Sequence, residues 1–558
     1  MMERQRPAGG EGRPEKESDP RAAGERAGRK EGTQAASNRH ATLVASGIFL
    51  SRIAGLLRDR VFAYYFGSSD AADIFRAAFR IPNLLQNLFG EGALSASFIP
   101  VYANLLARKQ EDEADEVASA IFCMLALTMS CLVVAGILAA PFLTAVIAPG
   151  FTGEKLDRTI FLVRILFPGA GLLAISAWCL GILNSHRRFF ISYSAPVAWN
   201  VMMILSMVAF GGRLDQVALT KVLAWGSVAG SALQIGVQLP FVLRLMRRFS
   251  ALIGLARESV RTVVRNFPPM LVSRGVVQIS AYIDTLIASF LPAGALAAIV
   301  YAQTLYILPV SLFGMSVSAA ELPAFSSALG DADEVSAYLR ARLNAALRSI
   351  AFFVVPSAVA FFALGDVVVG AIYQTGRFGR QDSIYVWAII AGYAIGILAT
   401  TCGRLYASAF YALRDTRTPL GFAVLRVCLA ASLGYAAALH LPHLLGFEAR
   451  WGAAGLTASA GIAGWLELVL LRSALNHRIG PTGLAASFSG RLWLAAAIAA
   501  AAGWGVKLAM HGDHPIKLAA ACLGLYGAVY FSATAALRVP EMGRLIGKAA
   551  RLAKTVRR

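Results

Sequence analysis

The chain carries at residues 51–100 the sequence SRIAGLLRDRVFAYYFGSSDAADIFRAAFRIPNLLQNLFGEGALSASFIP. Two long apolar runs lie on either side of a short turn at residues 67–70, and charged side chains recur inside both runs. A membrane-spanning helix needs about 20 largely apolar residues, and each run is long enough. A charged side chain near the bilayer centre costs at least about 2.5–3.5 kcal/mol, so these charges should face a cavity, a partner or the interface. The stretch therefore predicts two spanning helices of a helix bundle.

The rest of the chain has the same composition. Of its 558 residues, 57% are hydrophobic and only 15% are charged, and the mean hydropathy is +0.60. A soluble fold of this length needs far less apolar surface. We therefore predict an all-α polytopic membrane protein with about 14 transmembrane helices, at approximately 42–66, 73–105, 118–149, 157–184, 190–211, 220–244, 268–291, 295–326, 345–373, 383–412, 418–441, 452–472, 488–510 and 515–537.

The positive charges favour a membrane surface over nucleic acid as the partner. The formal net charge is +20, with 52 Lys plus Arg against 32 Asp plus Glu. With a cytoplasmic N-terminus, nearly every basic cluster falls in loops on the same side of the membrane, as the positive-inside rule requires. An even number of spans then places both termini in the cytoplasm. The clusters lie at 108–109, 187–188, 244–265, 340–348, 414–417, 472–478 and 538–558.

Two tripeptides suggest an internal duplication. Leu-Ser-Arg at 50–52 has a counterpart in Val-Ser-Arg at 272–274, and Leu-Phe-Gly at 88–90 recurs at 312–314. Duplicated halves are common in transporters, although coincidence among apolar helices is the alternative. The predicted organisation is a disordered cytoplasmic tail (1–40), an N-lobe (41–250), a C-lobe (251–480), two further helices (481–540) and a basic cytoplasmic tail (541–558).

The second predicted span carries a polar stripe. Its members recur every three or four residues, which keeps them within an arc of about 80° on a helix. Pro82 lies inside the stripe and predicts a kink, because proline removes one backbone hydrogen bond. Snorkelling of the helix ends would explain only part of so long a stripe. The members are Asp73, Arg76, Arg80, Asn83, Asn87 and Glu91.

The first and seventh predicted spans add further charges. Arg52 and Asp59 share a helix face, whereas Arg58 points roughly 120° away from Arg52. Asp59 could orient one arginine and leave another free to bind an anion, since guanidinium groups bind phosphate bidentately. The alternative is that Arg58 and Asp59 only mark the end of a span. Arg274 is a candidate substrate ligand and Asp284 a candidate proton or cation site.

Several classes of function lack their motifs. The sequence contains no GxxxxGK[ST], HExxH or GxSxG pattern, and its six cysteines lie in apolar runs without CxxC spacing. These motifs belong to nucleotide-driven motors, metalloproteases and serine hydrolases. The sequence therefore predicts a transporter rather than an enzyme, without a metal site or cofactor. Active transport would depend on a coupling cation, sodium or a proton, or on the membrane potential.

The motifs SRxxGxxRD, PNLL and EGAxSxxFxP of residues 51–100, with FYALRDTRTP at 410–419, occur in order and at characteristic spacing. In these motifs and in the fourteen-span layout the chain closely resembles the MurJ (MviN) lipid II flippase family. The resemblance implies the fold of the multidrug/oligosaccharidyl-lipid/polysaccharide exporter superfamily, in which two six-helix lobes enclose a central cationic cavity and two further helices form a lipid-facing groove.

The resemblance also implies a substrate and a set of binding residues. The substrate would be lipid II, an undecaprenyl-pyrophosphate-linked muropeptide, moved from the cytoplasmic to the periplasmic leaflet of the bacterial inner membrane by alternating access. Implied partners are membrane lipids and other cell-wall synthesis proteins. The implied pyrophosphate cluster comprises Arg52 and Arg58, with Asp59, Asp73 and Glu91 beside them.

Two positions depart from the family pattern. Gln303 and Thr304 stand where relatives have an Asp-Arg pair on the eighth helix, and Gln86 stands where relatives often have arginine. Our hypothesis is that Arg274 supplies the missing cation of the cavity. The resemblance further makes Asp284 a candidate for sodium coupling. Asp415 is a weaker cation candidate, because a salt bridge with Arg414 or Arg417 would explain it equally well.

Other functions fit part of the pattern. An exporter of another lipid-linked oligosaccharide, or a drug or cation antiporter of the same superfamily, would share the fold. A membrane-embedded polyprenyl-phosphate glycosyltransferase would also need basic groups, but it should carry acidic metal-binding motifs in sizeable loops. A membrane scaffold without transport activity gives no reason for charged residues inside the bundle.

Overall fold

The computed structural model describes residues 46–250, 257–326, 331–510, 514–545 and 547, and within these ranges it describes only the backbone of 90–93, 95–96, 269–270, 272–281, 323 and 332. Helices make up nearly all of this part of the chain. The long helices are α1 (46–66), α2 (70–107), α3 (Glu111–Leu138), α4 (Gly153–Ser185), α5 (Phe189–Phe210), α6 (Gln216–Leu245), α7 (Glu258–Ser289), α8 (295–326), α9 (Ala332–Tyr373), α10 (Arg380–Ala412), α11 (Arg417–Leu445), α12 (Ala449–Ile479), α13 (Ala486–Ala509) and α14 (Pro515–Ala536). A short helix, Ala140–Ile147, lies between α3 and α4.

Eleven helices of the described residues are long and apolar enough to cross a membrane. The helices α1, α2 and α7 are not among the eleven. These three carry every candidate site residue that the sequence marks except Asp415, and their charge lowers the mean hydropathy. The all-α membrane fold is confirmed, whereas the count of fourteen spans stays a prediction. The predicted disordered tail lies outside the described residues.

Both copies of the Leu-Phe-Gly tripeptide adopt an unusual helical geometry. In α2 the tripeptide lies in a π-helical segment, Gln86–Leu94, and in α8 it lies in another, Val310–Met315. A π-helical turn is rare and often marks a functional position in a helix. Corresponding positions of the two halves therefore share one local geometry, although the predicted domain boundaries stay a prediction.

Packing within each half is between neighbouring helices. In the first half α6 packs against α4 and α5, and in the second half α10 packs along α9 and α12. The last two helices, α13 and α14, pack on each other and on α9. Between the two halves, α2 packs against α7 and α8, and α1 contacts the end of α9 through Arg60.

At one end of the bundle, residues 64–73 of the first half meet the second half. We call this end, formed by residues 64–73, 148–155, 289–297 and 371–379, the Gly67 end. The guanidinium of Arg60 donates to the carbonyl oxygens of Ala371 and Ile372 at 2.8 and 2.7 Å. The backbone N–H of Arg377 donates to the carbonyl of Tyr64 at 2.9 Å. Hydrogen bonds therefore join the first half of the chain to the second half at the Gly67 end.

Candidate substrate-binding cluster

A buried carboxylate on α1 collects two arginines. The Asp59 residue is only 3% exposed. Its Oδ1 atom accepts hydrogen bonds from Nη2 of Arg58 at 3.0 Å and Nη2 of Arg76 at 3.1 Å. Its Oδ2 atom lies 3.4 Å from the hydroxyl of Thr304 on α8. We call Arg58, Asp59 and Arg76 the arginine cluster.

Both guanidinium groups of the arginine cluster make cation–π contacts with aromatic rings. The Arg76 guanidinium lies 4.2 Å from the centroid of the Phe62 ring and 5.4 Å from that of Tyr301. The Arg58 guanidinium lies 5.0 Å from the ring of Trp199. Cation–π contacts of this kind are worth about 0.5–2 kcal/mol, more where water is excluded. The rings therefore add favourable contacts to both guanidinium groups of the arginine cluster.

The arginine cluster retains unused binding capacity. Its two guanidinium groups and one carboxylate leave a formal charge of +1 (two minus one). Each guanidinium has five N–H donors in a fork that matches phosphate oxygens. Nε of Arg76 is buried and has no hydrogen-bond partner among the described residues. The cluster can therefore accept an anion with several oxygen atoms.

The structure places Asp73 in a different role. Its Oδ2 accepts from the backbone N–H of Gly294 at 2.7 Å, and its Oδ1 accepts from that of Ala297 at 2.8 Å. These N–H groups belong to the start of α8, where an anion also interacts favourably with the helix dipole. Lys155 on α4 lies 3.5 Å away. Asp73 thus caps α8 at the Gly67 end and is not part of the arginine cluster.

The remaining described members of the α2 stripe have separate surroundings. The Arg80 guanidinium lies 5.8 Å from the ring of Tyr282 on α7, whose hydroxyl donates to the Arg80 carbonyl at 3.0 Å. Asn83 lines a small cleft with Pro82, Ser227 and residues of α4. The stripe predicted as one polar face is therefore distributed over three environments, because α2 passes successively α8, α7 and the interior of the first half.

Of three further candidates, Arg52, Glu91 and Arg274, the structure describes the side chain of Arg52. Arg52 is exposed, six residues before Arg58 on α1, and makes no ion pair among the residues that the structure describes. The side chains of Glu91 and Arg274 lie outside the described part of the chain. The hypothesis that Arg274 supplies a cavity cation therefore stays a prediction.

Asp284 on α7 experiences the charge of one arginine from each half. Arg80 of α2 and Arg426 of α11 are within electrostatic range of its carboxylate. Arg426 itself forms an ion pair with Glu467 at 3.0 Å. Among the described residues, no three His, Cys, Asp or Glu side chains converge to form a metal site. The counter-charges around Asp284 are thus guanidinium groups.

Asp415 lies in the turn between α10 and α11. Its carboxylate accepts hydrogen bonds from the backbone N–H groups of Arg417 and Thr418, both at 3.0 Å, and from the Thr418 hydroxyl at 2.7 Å. Nη2 of Arg478 on α12 completes the shell at 2.6 Å. The salt-bridge partner is therefore Arg478 rather than Arg414 or Arg417. These hydrogen bonds, first those of Thr418, lower the pKa of the Asp415 carboxyl to about 2.

Sequence reasoning missed the aromatic and lysine partners of the site. Phe62, Trp199 and Tyr301 come from three different helices, and nothing in their local sequence distinguishes them from other aromatic residues of the apolar spans. Lys155 lies at the start of α4, where a lysine would also be expected at an interface. Only the packing of the helices brings these residues to Arg58, Arg76 and Asp73.

Comparisons with known protein sequences match most of the chain to one family. The family model described as "Lipid II flippase MurJ" matches residues 62–519. The lipid II flippase MurJ of Burkholderia cenocepacia is 31% identical over 512 residues, which cover 88% of this chain and 96% of the relative. The probable lipid II flippase MurJ of Rhizobium meliloti is 32% identical over 439 residues, covering 77% and 78% of the two chains.

Solved structures resemble the fold. A structure titled "Lipid II flippase MurJ, inward closed conformation" superimposes with a TM-score of 0.71 at 22% identity, covering 88% of this chain and 98% of the other. An inward-facing multidrug resistance MATE family transporter of the MOP superfamily gives a TM-score of 0.60 at 15% identity, covering 78% and 98%. At these identities the likeness concerns the arrangement of the helices.

Proposed function

The chain belongs to the lipid II flippase MurJ family, and from this premise we propose that it carries lipid II across the membrane with the arginine cluster as the diphosphate site. The family match over residues 62–519 is the observation that carries the function. The chain is a multi-pass membrane transporter and not an enzyme. The arginine cluster supports the diphosphate site because it presents fixed, partly unpaired guanidinium groups inside the bundle.

The physical task explains the need for such a site. A diphosphate must cross about 30 Å of hydrocarbon, where an unsolvated charge is prohibitively costly. In the proposed mechanism Arg58 and Arg76 replace the water around the diphosphate, and Arg52 approaches it from the exposed end of α1. The polyprenyl tail stays in the lipid beside α13 and α14. Rocking of the two halves then exposes the site to the opposite leaflet.

Asp59 has a positioning role in this proposal. Its carboxylate accepts from Nε and Nη2 of Arg58 and from Nη2 of Arg76 and leaves the other guanidinium N–H groups for the substrate. It also partly neutralises the site, which keeps binding from becoming too tight for release. A buried carboxylate paired to two arginines is thus a means of adjusting the affinity for an anion.

The orientation follows from the charges of the loops. The basic clusters at 108–109 and 187–188 lie at the end of the bundle opposite the Gly67 end. We propose that they face the cytoplasm and that the Gly67 end faces the periplasm of the bacterial inner membrane. Both termini are then cytoplasmic. Contacts with other cell-wall synthesis proteins stay a prediction from the family resemblance.

The driving force is proposed to act through Asp284 or through the membrane potential. A cation, sodium or a proton, that bound at Asp284 would weaken its electrostatic attraction to Arg80 of the first half and Arg426 of the second half. The membrane potential would instead act directly on the arginines of the cavity. Flipping assays in vesicles with a sodium gradient, a proton gradient or a potential imposed separately distinguish these routes.

Depletion and rescue in cells test the proposed function. A bacterium depleted of its own lipid II flippase should grow again when it produces this chain, and lipid II should reappear in the periplasmic leaflet. The measurement is the leaflet distribution of lipid II together with the amount of the chain in the inner membrane. A chain that reached normal levels in the membrane without restoring the periplasmic pool would contradict the proposal.

A further inference from the structure

The second half of α9 contains a proline, Pro356, and one break in the helical backbone, at Leu364. Pro356 has no backbone N–H, so the carbonyl of Phe352 loses its usual partner four residues later. Leu364 has φ −125° and ψ 17°, which lie outside the helical region. Carbonyl groups near such breaks need other donors, because an unsatisfied polar group is costly where water is excluded.

Side chains from three neighbouring helices donate to carbonyl groups in this part of α9. Each donor group reaches a carbonyl of α9 between residues 352 and 363, and two of the four donors belong to α14. The pairs are the Tyr530 hydroxyl with Phe352 at 2.6 Å, the Tyr526 hydroxyl with Pro356 at 2.7 Å, the Trp387 Nε1 with Phe362 at 3.0 Å and the Trp504 Nε1 with Ala363 at 2.7 Å.

The neighbouring helices also approach the break at Leu364 unusually closely. A Cβ atom on Gly365 would lie 2.4 Å from the Trp387 ring, and a Cβ atom on Gly503 of α13 would lie 2.7 Å from Leu364. Just beyond the break, Asp366 forms an ion pair with Lys507 of α13 at 2.7 Å. The Lys507 ammonium lies 4.8 Å from the Trp504 ring. The bend is therefore held by polar contacts as well as by packing.

The far end of α9 makes a contact between the two halves. Ala371 and Ile372, seven and eight residues beyond the break at Leu364, present the carbonyls that accept from Arg60 of α1. At a rise of about 1.5 Å per residue, this end lies about 12 Å from the break. A change of about 10° in the bend would move it by about 2 Å, which is enough to separate these hydrogen-bonded atoms.

We propose that α13 and α14 set the bend of α9 and thereby position its last turn against Arg60, so that they control the closure of the Gly67 end. Tyr526, Tyr530 and Trp504 are positioning residues in this proposal, since they act through α9 and not on a substrate. Movement of α13 and α14, which lie at the surface of the bundle beside lipid, would be transmitted through the bend to the contact between the halves. The proposal rests on the proposed alternating access, but the contacts that carry it do not involve a substrate.

Distance measurements across the Gly67 end test this proposal. Spin labels at Arg213→Cys and Gln381→Cys, both exposed, report the separation of the two halves by double electron–electron resonance. The background carries serine at Cys123, Cys131 and Cys428, while the three buried cysteines remain. The full-length chain is reconstituted in vesicles without lipid II. This readout does not depend on transport, so its failure is distinguishable from failure of the proposed function.

The chain offers a matched pair of variants. Trp504→Phe removes an indole N–H from the carbonyl beside the break, whereas Trp465→Phe removes the same donor from the carbonyl of Ile395 in the unbroken helix α10, where the bond is 2.8 Å. We expect Trp504→Phe, and Tyr526→Phe with Tyr530→Phe, to increase the population with the longer distance at least threefold. Trp465→Phe should leave the distribution unchanged.

Arg60→Gln serves as the reference for an open end. It should increase the longer-distance population directly, and adding Tyr526→Phe and Tyr530→Phe to it should cause no further increase. If the tyrosine and Trp504 variants gave the distribution of the Trp465 control while Arg60→Gln opened the end, the proposal would be overturned. Additive effects of Arg60→Gln and the tyrosine substitutions would also overturn it. They would mean that α13 and α14 act on the Gly67 end independently of the contact between Arg60 and α9.

Discussion

Asp59 and Asp73 are both buried carboxylates of the first half, yet their partners differ in kind. Asp59 binds the side chains of two arginines in its own half and reaches only a hydroxyl, that of Thr304, in the other half. Asp73 binds two backbone N–H groups at the start of α8 in the other half, with Lys155 of its own half farther away at 3.5 Å. A guanidinium held by a carboxylate keeps further N–H donors for a ligand. A backbone amide has only one N–H, so once it donates to a carboxylate it has no further donor for a ligand. The difference separates a site that can bind an anion from a contact that joins two parts of the protein.

The largest expected effect comes from the arginine cluster. Arg58→Ala and Arg76→Ala should each lower lipid II flipping in vesicles by about a hundredfold or more, because each removes a guanidinium from the proposed diphosphate site and leaves Asp59 with a weaker counter-charge. Arg158→Ala is the control, since Arg158 pairs with Glu154 on the surface of α4. Flipping at the control rate by either cluster variant would show that the diphosphate binds elsewhere.

Asp73→Asn should have a smaller effect on transport and a clear effect on closure. The amide keeps one acceptor oxygen, so the N–H of Gly294 or of Ala297 loses its partner, at a cost of about 1–3 kcal/mol. We expect flipping to fall by about tenfold or less and the label pair at 213 and 381 to report a larger open population. Asp70→Asn is the control, because Asp70 shares Lys155 but is half exposed, and exposed pairs contribute only about 0–1 kcal/mol. Equal behaviour of the two variants would mean that capping of α8 does not hold the Gly67 end.

The smallest effect is expected at Asp415, a carboxylate with a full shell of donors at the surface. Its pKa is lowered to about 2, so the charged form stabilises the folded state above the ordinary pKa of 3.8 and this contribution disappears as the pH falls through about 2. The difference in unfolding temperature between the parent chain and Asp415→Asn should be constant from pH 5 to 7. It should shrink between about pH 4 and pH 2. A difference that persisted unchanged at pH 2 would show that the charge of Asp415 does not contribute to folding stability.

The predicted spans agree with the helices in position more than in length. The ninth span was predicted at 345–373, whereas α9 runs from Ala332 to Tyr373. Hydropathy reports the part of a helix that needs an apolar environment and cannot report how far the helix continues into water. The additional turns begin after Asp331 with Asp333 and Glu334 in the first turn, where acidic residues interact favourably with the helix dipole.

The candidate site was predicted in part. Spacing on α2 predicts Arg76 as part of a polar face, whereas on α1 the sequence leaves open whether Arg58 and Asp59 bind an anion or mark the end of a span. The family resemblance adds the diphosphate. Spacing on one helix cannot show which neighbour a side chain meets, since that depends on how the helices pack. The capping of α8 by Asp73 required two residues more than 200 positions apart to come together, and no local pattern carries this information.

The sequence alone determined that this protein is an all-α membrane protein with charged residues inside its helices, because apolar length and the cost of buried charge act on each segment independently of the others. The tertiary structure alone decided what each charge does. Two arginines meet at Asp59, and Asp73 caps the start of α8. Side chains of α10, α13 and α14 donate to carbonyl groups of α9 near its bend. Each of these contacts depends on packing because hydrogen bonds are short and directional. Such contacts exist only when packing brings distant parts of the chain within about 3 Å of each other.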